Sequence, residues 1–157
     1  MSLIVNGDQV FSLREEMRRE KKRVVVTNGC FDLLHVGHLR YLTEARKFGD
    51  ILWIGLNNDD SVRQLKGPNR PVNSERDRAE ILAALRVVDA VTIFAGVRAT
   101  DFLQMVQPDV YVKGGDYTFD SLDQGEREVL LGCGAEIQIL QLVPGKSTTS
   151  TLERIRR

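Results

Sequence analysis

A doubly wound α/β fold of Rossmann-like type, built on a five-stranded parallel sheet, is what the order of segments in this 157-residue chain predicts. Three observations carry that reading. Five short apolar runs have the length and β-branched content of buried strands; a helix-forming segment separates each from the next; and several of those segments carry cap signals at their ends. Such alternation requires right-handed crossovers and places ligands beyond the carboxyl ends of the strands, where the strand order reverses.

The elements follow in order. "FSLREEMRREKK" opens with Ser12 and has Glu15 three residues on, a capping-box pattern that predicts a helix over 13–21. "RVVVTN" is the first strand, and the division predicted is an N-terminal helical segment over 1–22 and an α/β core over 23–157, in one domain. "HLRYLTEARKFGD" places apolar residues at Leu39, Leu42, Ala45 and Phe48 and stops at Gly49, a helix with a glycine C-cap. The strand "ILWIGLN" comes next, then a short helix "DDSVRQLKG", a loop "PNRPVN" and a helix from Ser74 through "ERDRAEILAALRVV". The strand "AVTIF", a helix "TDFLQMVQ" ended by Pro108, the strand "VYVKGG", a helix around "QGEREVLLG", the strand "EIQILQL" and a last helix from "STTSTLERIRR" complete the chain.

Composition narrows the function. Lysine plus arginine equals aspartate plus glutamate at 22 each, so there is no global basic field for a nucleic-acid backbone. No run approaches the roughly 18 apolar residues of a membrane span, and the N-terminus lacks the charged and apolar regions of a secretion signal, so a cytoplasmic protein without a membrane partner is expected. Cys30 and Cys133 are expected to be unpaired small hydrophobes, and two histidines without a C-x-x-C do not suggest a metal site.

Both histidines fall in one stretch, "TNGCFDLLHVGHLRYL", at the end of the first strand. If helix begins near His35, then His35 and His38 share one face of its first turn. A helix N-terminus favours an anion, and Gly37 opens the backbone to close approach. The stretch reads as a phosphate site with two hydrogen-bond donors, or alternatively as two surface histidines beside a strand–helix turn.

"NGCFDLLHVGHLRYLTEARKFGD" resembles the signature of the H-x-G-H nucleotidyltransferase superfamily, which includes glycerol-3-phosphate and phosphocholine cytidylyltransferases and pantetheine-phosphate adenylyltransferase. "LKGPNRPVN", "ERDRAEILAAL", "PDVYVKGGDY" and "GKSTTS" extend the match over almost the whole chain, and together look most like the adenylyltransferase domain of bacterial heptose-1-phosphate enzymes. The resemblance implies transfer of AMP from ATP, with Mg²⁺, to D-glycero-β-D-manno-heptose 1-phosphate, giving ADP-heptose and pyrophosphate. That domain is often joined to a sugar kinase, so a separate sugar kinase is an expected partner, and a homodimer is common in the family.

Residue roles follow from the same resemblance. His35, His38 and Lys47 would be catalytic, the histidines on the triphosphate and the lysine on acceptor and nucleotide phosphates. Gly29, Cys30, Phe31, Gly37, Arg78, Gly115 and Asp116 would bind the nucleotide, and Ser147, Thr148 and Thr149 would hold its β- and γ-phosphates. Lys66 and Arg70 stand in the Gly/Pro loop "KGPNRP", where a cation can meet a phosphate at low structural cost, and are read with Asp32 as the acceptor contacts. "GKSTTS" is not a Walker motif, because Leu140 stands where the first glycine is required. Related cytidylyltransferases have an arginine shortly before this motif, where the present chain has Lys146.

Three other readings stand beside this one. A cytidylyltransferase acting on glycerol 3-phosphate or a related alcohol phosphate shares the motif. So does a class I aminoacyl-tRNA synthetase fragment, which length, charge balance and the lack of a lysine-rich second signature disfavour. A nucleotide-binding regulator on the same fold would not need the histidines, Lys47, Arg78 and the "STT" run together.

Overall fold

The computed structural model describes residues 3–115, 117–141, 144 and 147–155. Its strands are β1 (Leu3–Ile4), β2 (Val24–Gly29), β3 (Ile51–Asn57), β4 (Ala90–Phe94), β5 (Val110–Gly114) and β6 (Glu136–Leu140). All pair in parallel in the order β1-β4-β3-β2-β5-β6. The helices are α1 (Gly7–Arg19), α2 (Val36–Arg46), α3 (Asp59–Lys66), α4 (Glu75–Ala83), α5 (Thr100–Val106), α6 (Gln124–Gly132) and α7 (Thr148–Ile155), with a 3-10 turn at Phe119–Ser121. The predicted α/β class and parallel sheet are observed.

The sheet has six strands where five were expected. Leu3 and Ile4 pair with Ala90 and Val91 at the edge. Two residues are too few for a periodic signal, so only the partner strand makes them a strand. The first helix also starts earlier than predicted, at Gly7, with the Gln9 side chain accepting the Asn6 backbone N–H at 3.2 Å. Ser12, expected as the cap, lies inside the helix and donates to the Gln9 carbonyl. Helix α4 begins where Ser74 predicts, the Ser74 hydroxyl accepting from Asp77 N–H, but ends at Ala83 instead of running to Val88.

Strand alternation sorts the core into two layers. Val24, Val26, Trp53 and Tyr111 face one way and pack with Phe102, Leu103 and Leu130. Val25, Leu52, Ile54, Val110 and Val112 face the other and pack with Tyr41, Leu42, Ala45, Ala79 and Leu82. One face is therefore covered by α5 and α6 with α1, the other by α2 and α4. Gly55 is required by close approach: a Cβ there would sit 2.5 Å from the Phe102 ring. The strand order reverses at β2, whose neighbours are β3 and β5, and this switch point puts the site beyond the ends of β2 and β5. Among the described residues no helix is long and apolar enough to cross a membrane.

Candidate active site

A cleft of about 450 Å³ opens where the strand order reverses. Its lining includes Asn28, Gly29, Cys30, Phe31 and Asp32 from the end of β2, and His35, Gly37 and His38 from the start of α2. Lys66 comes from the end of α3 and Arg70 from the loop after it, Lys113 and Gly114 from β5, and Ser147, Thr148 and Thr149 from the start of α7. Segments far apart in sequence thus meet in one concavity.

His35 is the N-cap of α2, with extended backbone, and its Nδ1 accepts the Gly37 N–H at 3.1 Å. His38 reaches back so that its Nδ1 accepts the His35 N–H at 3.3 Å. An Nδ1 that accepts assigns the proton of a neutral imidazole to Nε2. The rings lie 3.9 Å apart at 31°, and the Phe31 ring stands 5.5 Å from His38. Burial, and secondarily the neighbouring His35, push the His38 pKa down to about 4. At neutral pH His38 is therefore a neutral Nε2–H donor, set beside the positive end of α2. Gly37, expected to let a phosphate approach the backbone, lines the cleft, and its own N–H is engaged by His35.

Phe31 adopts a left-handed φ of 44°, which turns the chain sharply after β2. Asp32 follows it inward: its carboxylate accepts from Arg70 Nε at 2.5 Å, Val72 N–H at 2.8 Å and Asn73 N–H at 3.2 Å. Asp32 lines the cleft yet binds the 70–73 loop, so its direct part is to hold that loop against the β2 turn. Thr148 Oγ1 donates to the Leu33 carbonyl at 3.0 Å, joining the α7 start to the same turn.

Two expected residues stand elsewhere. Lys47 caps the far end of α2, which at 1.5 Å per residue is on the order of 16 Å from the histidine end. Its Nζ pairs with Glu44 at 2.6 Å, its side chain is exposed, and it does not line the cleft. The phosphate-contacting lysine assigned there is corrected: the cleft lysines among the described residues are Lys66 and Lys113.

Arg78 is likewise corrected as a phosphate contact. Its side chain is fully buried and donates to the carbonyls of Asn73, Cys30 and Asn57 and to Asp59 Oδ1. Those bonds tie the ends of β2 and β3 to the starts of α3 and α4. Gly115, at φ 114°, donates its N–H to the Leu140 carbonyl beside the cleft. Asp116 and Lys146 lie outside the described residues.

Sequence reasoning missed Asn28, Asn57, Arg98, Lys113 and Glu126, which also line the cleft. Position was the available signal, since Asn28, Asn57 and Lys113 sit at or next to strand carboxyl ends. Glu126 Oε1 accepts the Ala99 N–H at 2.8 Å, and Arg98 Nε pairs with Asp123 at 3.2 Å. Cys30 and Cys133 are unbridged and half-buried, and burial pushes the Cys30 thiol pKa up.

Comparison with known proteins gives a consistent assignment. The cytidylyltransferase-like family model matches residues 26–155. The bifunctional protein HldE of Syntrophotalea carbinolica is 46% identical over 155 residues, covering 94% of this chain and 31% of that protein. The bifunctional protein HldE of Geotalea uraniireducens is 48% identical over 153 residues, covering 98% and 31%. The chain thus spans about a third of the length of these curated relatives. A crystal structure of the lipopolysaccharide core biosynthesis protein from Thermoplasma volcanium matches with a TM-score of 0.64 at 27% identity, covering 78% of this chain and 97% of that one. A pantoate-β-alanine ligase from Francisella tularensis matches with a TM-score of 0.60 at 13% identity, covering 90% of this chain and 67% of that one, and shows the same fold. By the extent of the family match and the identity of these relatives, the chain belongs to the cytidylyltransferase-like family of nucleotidyltransferases.

Proposed function

We propose that the chain transfers AMP from ATP to a sugar 1-phosphate, D-glycero-β-D-manno-heptose 1-phosphate, releasing pyrophosphate and an ADP-sugar. The observation that carries this reading is the imidazole pair at the N-terminus of α2, each Nδ1 held by a backbone amide in a cleft at the switch point. Support for the acceptor comes from the "KGPNRP" and "KGGDY" segments, from the HldE relatives, and from a similar structure described as a lipopolysaccharide core biosynthesis protein.

In this mechanism an acceptor phosphate oxygen attacks the α-phosphorus in line. The new P–O bond forms as the bond to the β-phosphate oxygen breaks, and pyrophosphate leaves with the electron pair. Negative charge on the phosphate oxygens meets the Nε2–H groups of His35 and His38 and the positive end of α2. Ser147, Thr148 and Thr149 receive the β- and γ-phosphates, assisted by the N-terminus of α7. Gly29, Cys30 and Phe31 shape the nucleotide wall.

Mg²⁺ on the triphosphate would supply further charge compensation. Among the described residues no cluster of three potential metal ligands occurs. The cleft carboxylates Asp32 and Glu126 both accept backbone N–H groups.

The acceptor would be supplied by a sugar kinase, separate or joined, in the cytoplasm where ATP is available. Pyrophosphate release across ATP, CTP, GTP and UTP against heptose, hexose and glycerol phosphates tests the reading. ATP with the heptose 1-phosphate should dominate. Dominant CTP with glycerol 3-phosphate would replace it with the cytidylyltransferase reading, and release from no pairing would favour a nucleotide-binding regulator.

A further inference from the structure

Four cationic side chains line the cleft, and they differ in what already holds them. Arg70 is paired with Asp32, and Arg98 with Asp123. Lys66 is exposed, at the end of α3. Lys113 is half-buried at the end of β5 and has no hydrogen bond or carboxylate contact among the described residues. Its Nζ lies 5.0 Å from the centre of the Tyr117 ring. Desolvating an ammonium that no carboxylate contacts is unfavourable; Glu126 and Asp123 act on it only at longer range, and a ring face offsets little of the cost.

The place of Lys113 follows from the alternation of β5. Val110 and Val112 face the layer that holds α2, and Tyr111 faces the layer that holds α5 and α6. Lys113 has the parity of Tyr111, so it enters the cleft from the face opposite the histidine pair. Asn28 and Asn57 share that face by the same count, Val24 and Val26 preceding one and Trp53 the other. This wall offers a cation, the Nδ2 of Asn28, whose Oδ1 accepts the Tyr111 hydroxyl at 2.6 Å, and the Oδ1 of Asn57, whose Nδ2 donates to Ser61 Oγ and to the Gly96 carbonyl, whereas the α2 wall offers imidazoles and a helix N-terminus. In-line displacement needs the attacking phosphate and the leaving pyrophosphate on opposite sides of the α-phosphorus.

We propose that Lys113 anchors the phosphate of the acceptor, with Asn28 and Asn57 beside it for acceptor hydroxyl groups, while the α2 and α7 termini hold the nucleotide triphosphate. This rests on the nucleotidyl-transfer reading and moves the main acceptor contact from the 66–71 loop to the end of β5. Arg70, engaged by Asp32, then shapes the entrance from the opposite layer.

The test compares Lys113→Met and Lys113→Arg with the wild type in kinetics, calorimetry and thermal melting. Loss of one charge-assisted hydrogen bond should raise the KM for the sugar 1-phosphate at least about tenfold in Lys113→Met, with the KM for ATP changed less than about threefold, and Lys113→Arg should recover most of the loss. Because Lys113→Met removes a partly desolvated charge that no carboxylate contacts, Glu126 and Asp123 acting only at longer range, its melting temperature should stay close to that of the wild type. A rise in the KM for ATP as large as that for the acceptor, no kinetic change, or a marked fall in melting temperature would overturn the proposal.

Calorimetric titration of the sugar 1-phosphate and of inorganic phosphate, with a non-hydrolysable ATP analogue bound, requires no turnover. Binding of inorganic phosphate that weakens in Lys113→Met, with no binding of the sugar 1-phosphate, would retain Lys113 as the anchor and reject the assigned acceptor. Phosphate binding indifferent to the substitution would reject the anchor itself.

Discussion

His38 occupies a place where a positive charge is disfavoured, because burial removes water and His35 stacks beside it. Its folded pKa, lowered to about 4, lies below the ordinary histidine value of 6.5, so the unfolded chain takes up a proton that the folded chain refuses. Stability on this account is fully present above pH 6.5 and is progressively lost as pH falls toward about 4. With two histidines in the chain, proton NMR can follow each, and the His38 signals should remain those of a neutral ring at pH 5.5; a midpoint above 6 would refute the burial argument. His38→Ala should lower kcat by about a hundredfold or more while changing ATP affinity little, since its donor matters most when charge develops. Equal losses in kcat and in ATP affinity would assign His38 to ground-state binding. Pairing at i and i+3 was legible in the sequence; the backbone amides that fix each tautomer were not, because both depend on the N-cap geometry of α2.

At the scale of elements, the buried arginine and the exposed lysine exchange the roles that motif position suggested. Arg78 joins four segments through a fully buried guanidinium, and Arg78→Met would leave the Asp59 carboxylate and three carbonyls without that donor. A loss of about 3–5 kcal/mol in urea unfolding is expected, and Arg78→Lys should fail to restore it because an ammonium cannot span the same fork. A loss below about 1 kcal/mol would contradict its place as a hub. Lys47→Ala, in contrast, removes one exposed pair with Glu44 and should change both stability and turnover little, within about 0.5 kcal/mol. A large fall in turnover would return Lys47 to the reaction. Sequence showed both as cations on helices; their depth became visible only when α4 packed under the ends of β2 and β3, and when the 11 residues of α2 separated Lys47 from the histidines.

At the scale of the whole molecule, two layers of helices on one parallel sheet bring the ends of β2 and β5 together with the start of α7. Two substrates facing each other across such a cleft should react directly. The Cys30 thiol, its pKa pushed up by burial, is not activated as a nucleophile. Initial-rate kinetics should therefore be sequential, and parallel lines with a nucleotidylated protein would overturn direct transfer. Sequence by itself determined the α/β class, the position of the histidine pair after the strand that became β2 and most helix starts, because periodicity and caps are local. Tertiary structure decided the sixth strand, which exists only by pairing with β4. It also decided that Asp32 holds a loop, that Arg78 is interior and that Lys113 enters the cleft. Those outcomes depend on which donors, acceptors and charges from distant segments meet in a place that water has left, and no local pattern encodes that meeting.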